Sequence, residues 1–313
     1  MKRLSTSAKI KFLQNYIKEW HKEWHKKHPE NIVGFTIARK KTGEIERRNY
    51  SIVFHVREKQ DNSQLSVNAQ IPPHFKIEFP DGKKRVIKTD VVMTGDFELQ
   101  YGIASQVDSR FSNLYGSAGL FVTDNEGRVF MITNYHVVAE DMIRNGDYYY
   151  RRPDDQRQSN VRIRTNSTTH LDGRFEEGII SHEVDVAFVE LPVRPNGSMN
   201  ALPGGNRVRG KVTARPYPPA FKDKPLIVYS FHNKNGRNGF IADNSAVFYT
   251  KNPHIYFEDL IRITPKITQS GDSGGLVLTP RFAVLGLVVG GDDQSSFAIP
   301  FYKIEDFKQL FLI

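Results

Sequence analysis

Gly271-Asp272-Ser273-Gly274-Gly275 is the stretch from which the rest of the chain is read. A serine hydroxyl is a poor nucleophile at neutral pH. It needs a base beside it and donors for a developing oxyanion. Glycines on both sides of Ser273 let the backbone turn tightly and leave room for a reacting group. They also allow the amides of Gly271 and Ser273 to point at one place. Ser273 is therefore the candidate nucleophile, and Gly271 and Ser273 form the candidate oxyanion hole. A plain Gly/Ser turn between strands is the competing reading, so the pentapeptide needs support from elsewhere in the chain.

Two upstream segments supply it. Met131-Ile132-Thr133-Asn134-Tyr135-His136 is an apolar strand running into a histidine, followed by the small-residue turn Val137-Val138-Ala139. His182-Glu183-Val184-Asp185 opens the strongly apolar run Val186-Ala187-Phe188-Val189-Glu190-Leu191. A carboxylate at the head of such a strand is costly to bury unless it is paired. The imidazole of His136 is the expected partner, with Asp185 fixing its tautomer and orientation. The order His136…Asp185…Ser273 is that of the chymotrypsin triad. The letters G-x-S-x-G also fit a nucleophile elbow, but that arrangement needs a histidine after the serine, and none follows Ser273.

Periodicity divides the chain near residue 97. Ile10, Leu13, Ile17, Trp20 and Trp24 recur at spacings of three and four, which predicts a helix over 6–28 with an apolar stripe. His21 and His25 share a face, but the glutamate that a zincin helix needs is misplaced, so packing or a surface role is expected and no metal. Alternation in Val33, Phe35, Ile37 and in Tyr50, Ile52, Phe54, Val56 across Lys41-Thr42-Gly43 predicts a hairpin. A second hairpin joins Phe75, Ile77 and Phe79 to Val86 and Ile87 across Pro80-Asp81-Gly82, and the polar run 58–70 reads as a loop. Residues 1–97 thus read as a small α+β module. From 98 to 313 short apolar strands alternate with turns, among them Ala118–Thr123, Arg128–Thr133, Val184–Leu191, Leu226–Phe231, Gly239–Asp243, Ile261–Ile263, Gly275–Leu278 and Phe282–Val289, and a helix is expected at Lys303–Phe311. That pattern suggests a sandwich or barrel. The resemblance of the His…Asp…Ser order to the chymotrypsin triad implies a mostly β fold, a chymotrypsin-like double six-stranded β-barrel, preceded here by that α+β module.

Longer motifs extend the resemblance over about 110–313. Gly116-Ser117-Ala118-Gly119-Leu120-Phe121-Val122, Thr133-Asn134-Tyr135-His136-Val137-Val138 and Phe297-Ala298-Ile299-Pro300 resemble segments of the high-temperature-requirement proteases, here without a following PDZ-like domain. Ile52–Val56, Ile71-Pro72-Pro73 and Thr89-Asp90-Val91-Val92 resemble the N-terminal module of bacterial relatives of the plant narrow-leaf trypsin-like proteins. The resemblance implies a serine endopeptidase that hydrolyses peptide bonds through an acyl-enzyme, with no cofactor. It also implies a primary substrate pocket with Ile267 at the base, Gly291 on a wall and Ser296 near the back. Ile267 cannot select Arg or Lys, so a modest apolar residue is expected before the scissile bond. Secreted relatives pair the aspartate equivalent to Asp272 with a new amino terminus. Ile32-Val33-Gly34 lies too far from His136 to play that part and reads as the start of a strand. Asp272 is then expected to find a lysine, an arginine or a backbone amide, and the N-terminal module becomes a candidate regulator.

Composition narrows the remaining classes. The chain has 313 residues, no cysteine and a net charge of +9. Cysteine nucleophiles, Cys-ligated zinc and iron–sulfur clusters are excluded. The absence of cysteine, of a signal peptide behind Met1-Lys2-Arg3 and of a long apolar run suggests a cytoplasmic protein with no membrane span. Basic residues are spread along the chain. The densest run, Arg151, Arg152, Arg157, Arg162 and Arg164, is interrupted by Asp154 and Asp155 and reads as a solvated loop, so nucleic acid is not an expected partner. The expected partner is a protein or peptide substrate, with a homo-oligomer or a regulatory protein engaging residues 1–97. Trp20 and Trp24 on the first helix either offer an oligomerisation face or pack on their own domain. The alternative is a protease-fold regulatory or binding protein with little turnover.

Overall fold

The structure, a computed structural model, describes residues 4–28, 30–42, 45–60, 70–99, 106–109, 112–139, 149–151, 160–164, 170–192, 200–202, 205–230, 232–250 and 255–312. Helix α1 spans Thr6–Lys27, with the Ser5 side chain accepting from the Ala8 amide at 3.2 Å as its cap. It is followed by strands β1 (Ile32–Thr42), β2 (Ile45–Val56), β3 (His74–Glu78), β4 (Lys84–Met93) and β5 (Glu98–Leu99). Next come β6 (Gln106–Ser109), β7 (Ser112–Ser117), β8 (Phe121–Thr123), β9 (Val129–Thr133), the short helix α2 (Tyr135–Ala139), β10 (Tyr149–Arg151), β11 (Asn160–Arg164), β12 (His170–Ile180) and β13 (Asp185–Leu191). The last third holds β14 (Gly210–Lys211), β15 (Pro225–Tyr229), β16 (Arg237–Tyr249), β17 (Tyr256–Thr264), β18 (Leu276–Leu278), β19 (Ala283–Gly291), β20 (Ser296–Pro300), α3 (Phe301–Phe307) and β21 (Phe311–Leu312).

These strands form two sheets. One runs β21-β8-β9-β13-β12-β11-β6-β7, with β10 on β12. The other runs β15-β18-β19-β20-β17-β16-β1-β2-β4-β3, with β14 and β5 on β19 and a further β15–β16 pairing. The chain is mostly β, with one long N-terminal helix, and its two sheets are consistent with a chymotrypsin-like double β-barrel. Inward residues of the second barrel, such as Leu226, Val228, Ile261, Ile263, Val277 and Ala298, form one core. Val186–Val189 on β13 and Phe130–Ile132 on β9 fill the first barrel and its seam with the second.

The N-terminal strands extend the second sheet. β1 pairs with β16 at Gly34↔Phe248 and Phe35↔Val247. Gly34 permits this approach, because a Cβ there would lie 2.6 Å from the Val247 carbonyl and 2.8 Å from the Phe248 ring. Helix α1 packs Ile10, Leu13 and Ile17 into one core with Phe35, Ile37, Ile52 and Phe54. Trp20 and Trp24 are partly buried, and of the two alternatives for them it is packing on their own domain that the structure shows. Trp20 packs on Phe35, Phe54 and Phe75, and Trp24 on Phe54 and Phe75. The two helix histidines are also buried. His21 bonds Tyr249 at 2.9 Å and Glu258 at 3.2 Å, and His25 stacks on the Tyr249 ring at 3.5 Å.

Both predicted hairpins form, with Phe35 opposite Phe54 and Phe75 opposite Ile87. The tip residues 43–44, most of the predicted loop (61–69), Phe231 and residues 152–159 of the basic run lie outside the described residues. In that run Arg162 bonds Asp172 at 3.3 Å. One expected element is corrected. The C-terminal helix spans Phe301–Phe307 and stops at Lys308, and Phe311–Leu312 pairs with β8. The apolar residues Phe311 and Leu312 satisfy a helical count, yet their backbone completes a sheet edge, a choice that local periodicity cannot see. Among the described residues no helix is long and apolar enough to cross a membrane.

Candidate active site

His136 lies in α2, directly after β9, and Asp185 begins β13. Those strands pair from Ala187↔Thr133 onward, so the two residues meet at the same end of the first sheet. Both side chains are fully buried. The His136 ring donates Nδ1–H to Asp185 Oδ2 at 2.5 Å. The other carboxylate oxygen accepts the amides of Tyr135 at 2.6 Å and His136 at 3.3 Å. Asn134 Nδ2 donates to the Asp185 carbonyl at 2.8 Å. Three donors thus satisfy the buried carboxyl group of Asp185. With Nδ1–H turned to Asp185, Nε2 is the ring nitrogen that can take a proton.

The pentapeptide forms a tight loop between β17 and β18, with Gly271 at φ 108° and Gly274 at φ 86°. It is clamped from both sides. From the second barrel, Gly274 N donates to Val288 O at 2.8 Å and Val288 N to Gly275 O at 2.8 Å. From the first barrel, Ser117 N donates to Ser273 O at 2.6 Å, and Ser117 Oγ to Gly271 O at 3.2 Å. Thr133 Oγ1 in turn bonds the Ser117 carbonyl at 2.9 Å. A Cβ on Gly274 would fall 2.2 Å from Ser117 O and 2.4 Å from Thr133 Oγ1, so only glycine lets the loop press against the strand that leads into His136. The Ser273 hydroxyl is buried and donates to Val289 O at 3.0 Å. The amides of Gly271 and Ser273 donate to no acceptor among the described residues.

Asp272, fully buried, is held by partners that the sequence reading did not name. One oxygen accepts from the His232 ring Nδ1 at 3.2 Å and from the His232 amide at 3.4 Å. The other accepts from Asn233 Nδ2 at 3.2 Å and the Gln269 amide at 3.0 Å. Asn233 Nδ2 also reaches Ser230 Oγ and the Ile267 carbonyl. Backbone amides were among the expected partners. The lysine or arginine is replaced by a histidine and an asparagine on the turn between β15 and β16. A short polar turn after an apolar strand was the only available signal, and it is common to many turns.

The three expected pocket residues come together. Gly291 and Ser296 face each other across β19 and β20. Ser296 Oγ accepts the amides of Ile267 at 3.0 Å and Thr268 at 3.1 Å, and bonds Thr268 Oγ1 at 2.7 Å. Ile267 is buried among the apolar residues of the second barrel.

No protein-family model matches the chain, and no curated protein matches it. Solved structures do. The Nocardiopsis protease NAPase is 17% identical over 69% of this chain and 98% of its own, with a TM-score of 0.46. The active form of the Rv3671c protease from M. tuberculosis is 17% identical over 65% of this chain and 78% of its own, with a TM-score of 0.40. The MamO protease domain from Magnetospirillum magneticum is 12% identical over 66% of this chain and 96% of its own, with a TM-score of 0.38. These neighbours are trypsin-like serine proteases, the class that the sequence motifs resemble.

Proposed function

We propose that the chain is a serine endopeptidase. His136 takes the proton from Ser273 Oγ, Asp185 holds the imidazole and stabilises the imidazolium, and the amides of Gly271 and Ser273 receive the oxyanion. Ser273 Oγ bonds the scissile carbonyl carbon, and as the C–N bond breaks His136 gives its proton to the leaving amine, which leaves an acyl-enzyme. Water then attacks the acyl carbon while His136 takes its proton, the ester bond to Ser273 breaks, and His136 returns the proton to Ser273 Oγ as the carboxylic acid departs. No cofactor takes part in these steps. The observation that carries this reading is the fully buried His136–Asp185 couple at the strand end against which the Ser273 loop is clamped. In the described conformation Ser273 Oγ points to Val289 O, so a turn about χ1 precedes attack. The pocket of Ile267, Gly291 and Ser296 favours a modest apolar residue before the scissile bond, since Ile267 offers no charge to a basic one. Residues 1–97 share a core with Val247, Tyr249 and Tyr256 of the second barrel, which suits them to controlling the site or meeting a protein partner.

The test is fluorophosphonate labelling read by intact mass. A single adduct on the parent chain that is absent from Ser273→Ala supports an activated Ser273. A folded chain that takes no adduct under any condition favours the binding-protein reading.

A further inference from the structure

The edge of β19 beside Ser273 is already occupied. On its other edge β19 pairs with β20 through Gly291↔Ser296. On the edge in question it pairs in turn with β18 up to Leu276↔Leu287, then with the nucleophile loop at Val288, and then with β5 at Gly290↔Leu99 and Gly291↔Glu98. The β5 pairing is antiparallel, so the chain in β5 runs toward Val289, whose carbonyl accepts the Ser273 hydroxyl. A peptide held on this track as an added strand sets the residue opposite Val289 beside the nucleophile. Strand addition to an open sheet edge is a general way of holding extended peptides. Gly290 and Gly291 keep that edge bare of side chains.

Three further contacts fasten the segment before β5. Phe97 is buried to 1% exposure in an aromatic cup, with ring centroids 5.1 Å from Phe297, 5.8 Å from Phe248 and 6.4 Å from Phe257. Asp293 N donates to Thr94 O at 3.2 Å, and Gln294 Nε2 to Met93 O at 2.6 Å.

Resting on the protease reading above, we propose that the chain's own Phe97–Leu99 occupies the peptide-binding edge of the site in cis, its backbone on Gly290–Gly291 and its Phe97 ring in the cup of Phe248, Phe257 and Phe297. The resident segment also specifies the substrate class: an extended peptide with a large aromatic residue two positions before the one opposite Gly290, and therefore three before the residue at Ser273. A tethered occupant competes at an effective concentration near millimolar, so free peptides bind weakly until it is displaced.

The test separates occupancy from chemistry. In the full chain carrying Ser273→Ala, anisotropy of a fluorescein-labelled Thr-Gly-Asp-Phe-Glu-Leu-Val-Gly peptide is compared with and without Glu98→Pro/Leu99→Pro. The paired prolines remove whichever of the two amides faces β19. Binding about tenfold tighter or more in the proline variant is expected, and about tenfold weaker again when the peptide's Phe is Ala. Equal affinity in both chains, or indifference to the peptide's Phe, overturns the proposal. With Ser273 intact, fluorophosphonate labelling is run in parallel. Tighter peptide binding without any adduct keeps the occupancy and sinks the protease reading. A Ser273 adduct without a gain in peptide binding does the reverse. Should the proline variant fail to melt cooperatively, hydrogen exchange on the parent chain decides. Of the Gly290 and Gly291 amides, slow exchange by the one turned away from β20 supports the proposal, and exchange at the rate of an open edge overturns it.

Discussion

Two histidine–aspartate couples, His136–Asp185 and His232–Asp272, are built from the same parts. Asp185 and Asp272 are both fully buried. Each accepts one imidazole Nδ1–H and at least two backbone amides. The difference lies in the rings. His136 is fully buried and bonds at 2.5 Å, whereas the His232 side chain is 32% exposed and bonds at 3.2 Å. Asp272 also receives the side chain of Asn233, and Asp185 serves mainly the turn that carries His136. A short, dry pair suits proton handling, because its geometry is fixed and its field is unscreened. A half-wet pair with redundant donors suits anchoring, because no single bond decides the position of the loop. On the proposed reading the same two residue types serve chemistry in one barrel and scaffolding in the other.

The largest expected effect falls on the first couple. Asp185→Asn should lower kcat by about four orders of magnitude while the chain stays folded, as expected for loss of the correct imidazole tautomer. Peptide turnover with a melting curve alongside checks this, and a drop of only a few-fold would place Asp185 among structural residues. Next comes Asp272→Asn, which weakens the anchor of the loop bearing the Gly271 and Ser273 amides. A loss of about 10²-fold in kcat is expected with KM little changed. Asn233→Leu leaves one Asp272 oxygen short of a donor and should cost about 1–3 kcal/mol in stability, read from denaturant unfolding. His232→Gln keeps a donor near Asp272 in a partly wet position, so less than about 1 kcal/mol is expected. If His232→Gln proved as damaging as Asp185→Asn, the two couples would be functional equals and the contrast between them would fail.

A third histidine sharpens the comparison through pH. Burial is the main cause that pushes His25 down to about 4, with the charges of Arg57 and His21 adding to it. The folded state therefore favours the neutral ring. Its contribution to stability is fully present above pH 6.5 and is lost as pH falls toward 4. His25→Phe, which keeps a ring against Tyr249, should flatten the acid limb of Tm against pH in that window. An unchanged slope would assign the acid sensitivity to other groups.

Much of the candidate site was legible because its signals are local. Ser273 is marked by its glycines, His136 by the strand that delivers it, and Asp185 by the cost of a carboxylate at the head of an apolar run. Ser117 stood within a quoted motif, yet nothing local says that its amide meets Ser273 O or that its hydroxyl meets Gly271 O. Trp20 and Trp24 show a choice that the sequence left open. Their spacing continues the apolar stripe, but exposure depends on Phe54 and Phe75 from strands that the helix does not adjoin in sequence. Ile267 and Ser296 were placed by resemblance, and the bonds from the Ile267 and Thr268 amides to Ser296 Oγ tie these segments together.

By itself the sequence determined the hairpins, the strand-rich character beyond residue 97 and the three residues proposed to carry the chemistry. Each of these rests on periodicity, turn stereochemistry or the electrostatic cost of one buried charge, all readable within a few neighbours. Only the tertiary structure decided that β1 would join β16, that His232 and Asn233 would hold Asp272, and that Phe97–Leu99 would lie on the edge next to Ser273. Those pairings depend on sheet register between distant segments. Backbone amides and carbonyls carry that information, and they are the same in every residue type except proline.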